Sequence, residues 1–200
     1  MDYVNTLSKF GVKLADRNQR VKFPKLKTRY KVLFEGFAAP LGGDNISMDM
    51  KTYSVPKGEF EDKTIEMVNG DIHYPGKWTW AACDFTVYDS YDNANYKELY
   101  RQIQLQRDLS EQVTGTVAQN YKYVSKFCNT DGHQNVICTW VMEGCWLQKA
   151  QPEDGANGDH EAQVINCTQV FDNCCLYDCD GTLITGDGAI STMMEKVLAF

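Results

Sequence analysis

Eight cysteines and one Asp-x-Asp turn are the residues of this sequence whose type and spacing most invite a chemical reading. The cysteines are Cys83, Cys128, Cys138, Cys145, Cys167, Cys174, Cys175 and Cys179, and all but Cys83 follow residue 125. A structural zinc site needs thiolates paired at C-x2-C-type spacing. The only tight cluster here, Cys174-Cys175-x3-Cys179, lacks such a pair. Three readings stay open: buried or free thiols, disulfides formed late, and zinc. If disulfides form, Cys167, Cys174, Cys175 and Cys179 are the candidates, because they crowd the end of the chain. The second feature is Leu176-Tyr177-Asp178-Cys179-Asp180-Gly181-Thr182-Leu183. Its two aspartates, Asp178 and Asp180, stand one residue apart and invite a reading as a catalytic pair.

That octapeptide resembles the first motif of the haloacid dehalogenase superfamily, and the resemblance implies Asp178 as nucleophile and Asp180 as acid/base with Mg2+ between them. In that family the motif opens a Rossmann-like domain with further catalytic motifs downstream. Only 18 residues follow Thr182, and no alternating β-α pattern precedes it. The plainer reading is a hairpin turn with Asp180-Gly181 as its turn dipeptide. His73, His133 and His160 are the three histidines, and none is spaced as a metal ligand with another. No G-x-S-x-G, P-loop or G-x-G-x-x-G pattern occurs. Asn166-Cys167-Thr168 matches a glycosylation sequon, which is expected to be idle. The aromatic residues Tyr74, Trp78, Trp80, Phe85 and Tyr88 lack the basic groove of a base-stacking platform, so core or interface packing is expected of them. No catalytic residue, metal ligand or cofactor site is expected.

The formal charge is -7, which argues against a surface built to grip nucleic acid. It does not argue against passing nucleic acid through, since an acidic wall repels phosphate and prevents sticking. Hydrophobic and charged contents of 43% and 24% are those of an ordinary globular protein. Met1 to Arg20 scatters Asp2, Lys9, Lys13, Asp16 and Arg17 among apolar residues, unlike a signal peptide, so cytosolic synthesis and no membrane insertion are expected.

The elements that must position these residues read as strands. Residues 1–28 form an arm with basic residues at Arg17, Arg20, Lys22, Lys25 and Lys27. In Arg29 to Phe37, Tyr30, Val32 and Phe34 alternate with Lys31 and Glu35. Residues 46–74 read as one long hairpin, with Ile46, Met48 and Met50 in its first arm and a charged tip at Glu59, Glu61 and Asp62. Trp78 to Asp89 reads as a single long strand. A helix follows, with Asp92 to Asn95 as cap residues and Asn95 and Glu98 as a capping box. Its apolar stripe is Tyr96, Leu99, Tyr100 and Ile103, with Lys97, Glu98, Arg101 and Gln102 opposite. Further strands are predicted over 120–127, 136–147 and 161–177, an exposed loop over 151–160, and helical character over 193–200. The fold class is mainly β: a β-sandwich or barrel with one packed helix and a long hairpin, spanning 29–179 and followed by a tail, 180–200.

Three stretches in this order resemble the tube proteins of contractile phage tails and of type VI secretion. They are Arg29-Tyr30-Lys31-Val32-Leu33-Phe34; Ile72-His73-Tyr74-Pro75-Gly76-Lys77 running into Phe85-Thr86-Val87-Tyr88-Asp89; and Trp140-Val141-Met142-Glu143-Gly144-Cys145-Trp146. Cys145 stands where that family commonly has a small residue, and Leu147 where it has proline. The resemblance implies a non-enzymatic structural subunit of a virion tail, assembled in the host cytoplasm into hexameric rings that stack helically. The long hairpin then reaches the next ring, and Glu59, Glu61 and Asp62 pair with basic residues such as Arg17, Arg20 or Arg29 of a neighbour. Expected partners are further copies of the chain, a sheath protein, and baseplate and terminator proteins. DNA passes through the lumen without specific binding. Lys97, Arg101 and Arg107 are the candidate sheath-facing residues. The alternatives are a tube or terminator protein of a non-contractile tail or type VI system, and, in another class, a monomeric β-rich ligand-binding module.

Overall fold

A computed structural model of the chain describes residues 25–114, 121–131, 135–155 and 161–184. Most of the expected arm, with Arg17, Arg20 and Lys22, lies outside the described residues. So do His133, His160 and the segment 185–200. The described elements are β1 (Tyr30–Glu35), α1 (Asp44–Met48), β2 (Met50–Tyr53), β3 (Gly58–Met67), β4 (Gly70–Trp80), β5 (Cys83–Tyr88), α2 (Ala94–Gln106), β6 (Tyr123–Thr130), β7 (Val136–Pro152), β8 (Val164–Val170) and β9 (Asn173–Asp178).

Seven strands form one curved antiparallel sheet in the order β1-β6-β7-β8-β5-β2, with β9 added on β7. The 17-residue β7 belongs to both halves. Its first part pairs with β6 and β9, and its last part pairs with β8. The bend between them falls at Gly144, whose φ is +67° and where a Cβ would lie 2.2 Å from Asp172 Oδ2. Only glycine fits both demands.

The concave side holds the core, where Val32, Phe85, Val87, Met142, Leu147 and Ile165 are buried. Tyr53 stacks on Phe127 with centroids 5.0 Å apart and interplanar angle 10°, so β2 and β6 touch across the fold. The sheet does not close into a barrel. β1 and β2 end it at opposite edges, and the Tyr30 hydroxyl crosses the seam to donate to Lys51 O at 3.0 Å.

Several expected strands are differently built. Residues 46–48 lie in the short helix α1, where Ile46 fills the core and Met48 is exposed, so the alternating Ile46, Met48 and Met50 is not a hairpin arm. The hairpin is β3 and β4 alone. The expected long strand from Trp78 breaks at Ala81-Ala82, between β4 and β5, and the strand expected over 161–177 splits at Phe171-Asp172. The Asp-x-Asp motif is the hairpin turn. Gly181 N–H donates to Asp178 O at 2.9 Å with Gly181 at φ +72°, and Leu183 pairs back on Tyr177. The folded body therefore runs past residue 179, to at least Ile184.

Helix α2 docks through its apolar stripe, with Leu99 fully buried and Tyr96 and Ile103 packed on the core, and also through polar side chains beside that stripe. Asn95, Glu98, Leu99 and Gln102 are buried, whereas Tyr100 is 44% exposed. The capping box is absent. Asn93, in the left-handed region, is the N-cap, and Asp92 Oδ1 accepts from Ala94 N–H at 3.1 Å. Irregular segments around the helix leave backbone groups without ladder partners, and the carboxamides and Glu98 satisfy them. Gln102 accepts from Ala38 N–H at 2.8 Å and donates to Tyr121 O at 2.6 Å. Gln106 donates to Leu147 O at 2.7 Å and accepts from Leu147 N–H at 2.9 Å. Glu98 accepts from Asn45 Nδ2 at 2.7 Å and from Ile46 N–H at 3.3 Å.

Glu98→Ala leaves that buried N–H unpaired, and a loss of about 2 kcal/mol is expected by denaturant titration. Burial raises the Glu98 carboxyl above its ordinary range against the lowering effect of those donors. The folded protein therefore holds this proton more tightly than the unfolded chain. Its contribution to stability is full below the unfolded value and declines as pH rises through the folded one. In Glu98→Gln, that part of the pH dependence should vanish.

Candidate assembly surface

Among the described residues, open sheet edges and one detached hairpin set this surface. β3 and β4 pair with each other and, among the described residues, with no other strand, and their burial is low along the whole length. A two-stranded ribbon in water is marginal without a surface to pack on. This one also displays Phe60, Ile65, Met67, Val68, Ile72, Tyr74 and Trp78.

The register explains how they are distributed. Phe60 pairs with Trp78, but Asp62 pairs with Pro75, so Glu61 faces both Gly76 and Lys77. This β-bulge in β4 exchanges the faces of the pleat. Nearest the body, Phe60, Trp78 and Trp80 share one face. Beyond the bulge that face carries Asp62, Thr64, Glu66, Asp71 and His73, and the apolar residues Ile65, Met67, Ile72 and Tyr74 lie on the other. Gly76 allows the close approach, since a Cβ there would meet Glu61 O at 2.9 Å. Pro75-Gly76 thus shapes the strand rather than ending it.

The carboxylates expected at the tip are not there. The turn is at Val68-Asn69, between β3 and β4, while Glu59, Glu61 and Asp62 lie in the half of β3 nearer the body. Lys63 Nζ sits 3.5 Å from Glu61, and His73 Nδ1 lies 3.0 Å from Asp62. Such exposed pairs contribute little to stability, but they engage two of the three carboxylates within the hairpin. Arg29 Nη1 is bonded to Asp131 O. Sequence reasoning missed the apolar far half. Its signal was the alternation Ile72-His73-Tyr74, but it is visible only once Ile65 is known to pair with Ile72.

The basic residues assigned to the helix are all exposed. Lys97 Nζ bonds Asp92 O at 3.3 Å, Arg101 Nε bonds Ala39 O at 3.2 Å, and Arg107 stands at the helix C-cap, bridged to Thr114.

All eight cysteines are free thiols. The four disulfide candidates do not converge, because successive residues of a strand face opposite ways. Cys174 enters the main core, whereas Cys175 joins a smaller cluster with Val141 and Tyr177 on the other face of the sheet. Cys167 is buried opposite Phe85, and Cys179 is exposed in the last turn. Burial pushes the Cys83 thiol up to about 11 and those of Cys145 and Cys167 up to about 12. Buried thiols of this kind are inert. Titration of the native protein with a disulfide reagent should therefore read about one or two thiols, Cys179 first and Cys175 next, against the full complement after denaturation. Rapid reaction of Cys167 or Cys174 in the folded protein contradicts the placement. Among the described residues no group of three metal-ligating side chains converges, and no helix is long and apolar enough to cross a membrane.

No family model and no curated protein matches the sequence. Solved structures do. The chain is similar to a sheath/tube terminator of the PVC extracellular contractile injection system in its extended state, with TM-score 0.62, 12% identity, and 78% of this chain and 99% of that one covered. It is similar to the tube terminating cap of the anti-feeding prophage, with TM-score 0.62, 14% identity, and coverage of 84% and 99%. It is also similar to the SPP1 tail tube, with TM-score 0.53, 16% identity, and coverage of 88% and 87%. At these identities the likeness concerns the fold, and it extends over nearly the whole of each matched chain. By this likeness the chain has the fold of tail-tube and injection-system tube proteins.

Proposed function

We propose that the chain is a structural subunit of the inner tube of a contractile phage tail. In this reading it assembles in the host cytoplasm as hexameric rings that stack helically into a virion conduit for DNA. The observation that carries the reading is the β3–β4 hairpin. Its far half carries Ile65, Met67, Ile72 and Tyr74 on one face, and none of the described residues covers them. A second copy of the chain is the natural cover, because open β1 and β2 edges on the same body also call for strand partners. The hairpin spans the step from one ring to the next, with its apolar far face as the contact. Glu59, Glu61 and Asp62 flank that contact and orient it.

The acidic balance, -7 overall, suits a conduit through which DNA slides without binding. Lys97, Arg101 and Arg107 offer a basic outer patch to a sheath protein, and baseplate and terminator proteins close the two ends. Inert buried thiols leave Cys179 as the residue from which an inter-subunit disulfide would have to start after release from the cell.

A second reading has its own support: two of the similar structures are terminators. Sedimentation separates the two. A tube subunit gives large assemblies of broad size distribution that grow with concentration. A terminator stops at one ring, and a ligand-binding module stays at the 22.7 kDa of one chain. A single species of chain mass at every concentration overturns the structural reading.

A further inference from the structure

An aromatic chain joins the hairpin to the body. Phe60 meets Trp78 with centroids 4.7 Å apart, Trp78 meets Trp80 edge to face at 5.2 Å and 88°, and Trp80 lies 5.6 Å from Phe171. Phe171 is 4% exposed and belongs to the main core. The series therefore runs from the buried interior to the exposed ribbon without a break. Beyond each other, β3 and β4 make no extensive contact with another element. At the root of the hairpin, Ala81 N–H donates to Lys57 O at 2.9 Å.

Gly58 lies under the indole of Trp78. A Cβ on Gly58 would stand 2.2 Å from one indole carbon and 2.5 Å from another, so any side chain there displaces the ring. No positive φ is recorded for Gly58, so it is the space taken by the ring that demands glycine. The bulge at Gly76-Lys77 then turns the apolar residues to the face opposite these rings. One face of the ribbon is thus spent near the body on bracing, and the other is left free beyond it.

We propose that Gly58, Trp78 and Trp80 are positioning residues that fix the angle at which the hairpin leaves the body, and that this angle decides whether the chain can dock on a second copy. The inference stands on the tube reading above. Without the brace the ribbon samples many directions, and only a fraction of its orientations meets the neighbour. The barrier to assembly then lies in hairpin orientation, although no bracing residue touches the neighbouring copy.

The test compares the full chain with Gly58→Ala, Trp78→Leu and, as a control on the opposite face, Thr79→Ala. Near-ultraviolet circular dichroism and indole fluorescence read the joint, thermal unfolding reads the body, and sedimentation reads assembly. Gly58→Ala and Trp78→Leu are expected to alter the indole signals and to raise the concentration needed for assembly by ~10-fold or more, as reduced occupancy of a competent conformer requires. The body should melt as the parent does, and Thr79→Ala should match the parent throughout. Should Gly58→Ala fail to fold, Trp78→Leu carries the test alone, since it adds no volume. Parental assembly by a variant whose indole signals show the joint broken overturns the inference and leaves the tube reading standing. A parent chain that never assembles overturns the tube reading, and the inference with it.

Discussion

Ile65→Glu combined with Ile72→Glu abolishes assembly and leaves the folded body intact. The two side chains pair directly across β3 and β4, roughly half exposed, on the apolar face beyond the bulge. Covering each by a neighbouring copy is worth about 2 kcal/mol by apolar area. Losing both raises the assembly concentration roughly a thousandfold, before counting the cost of burying two carboxylates. Neither residue touches the core, so unfolding by denaturant should be unchanged. Charge reversal at Glu59, Glu61 and Asp62 provides the comparison. Glu61 and Asp62 already have partners within the hairpin, so the triple reversal should slow assembly and change its salt dependence more than its endpoint. The reverse order of effects would show that charge, as the sequence first suggests, carries the contact.

The second large effect lies in the core. Gln169 is fully buried on β8. Its Nε2 donates to the Tyr53 hydroxyl at 2.7 Å, and its Oε1 accepts from the Tyr123 hydroxyl at 3.1 Å. Burial drives both tyrosines well above their ordinary range, so the hydroxyls remain protonated and need partners. Gln169→Ala removes both bonds and opens a cavity, at an expected cost of about 3–5 kcal/mol, a large share of a domain's total stability. Gln169→Met keeps the volume and should cost less. Adding Tyr123→Phe to Gln169→Met removes one orphaned hydroxyl and should restore part of the loss. A double-mutant cycle followed by thermal unfolding measures that coupling. Strict additivity would show that the hydroxyl of Tyr123 finds another partner.

How far the sequence reveals this molecule depends on which force shapes each element. Strands β1 and β5 are legible because one face is buried and the period is strict: Val32, Phe85 and Val87 fall where alternation puts them. The hairpin turn at Asp178 to Gly181 is legible from its Asp-Gly dipeptide, and the order of its three diagnostic stretches points to the tube fold. Helix α2 is legible in place and in its apolar facing, through Tyr96, Leu99 and Ile103, but not in its buried polar contacts. Periodicity counts apolar residues, whereas Glu98, Gln102 and Gln106 bond backbone groups of residues far away in sequence, Ile46, Ala38 and Leu147, that no local pattern announces. Ile46 and Met48 alternate like a strand, yet α1 places one in the core and the other in solvent. The assembly surface is hardest. A bulge at Gly76-Lys77 reverses the pleat, so residues of like character along β4 brace the body on one side and stand exposed on the other. The cysteines mislead for a related reason. Nearness in sequence at Cys174-Cys175 is separation in space, because a strand sends adjacent side chains to opposite faces.

The central claim is that this chain builds a hollow tube by stacking on itself. Electron microscopy of the purified protein in negative stain, with and without reductant, tests it most directly. Hollow rods of uniform width under both conditions are the predicted result, since the stacking contact is apolar and the buried thiols take no part. Uniform single particles of one chain under every condition would contradict the claim.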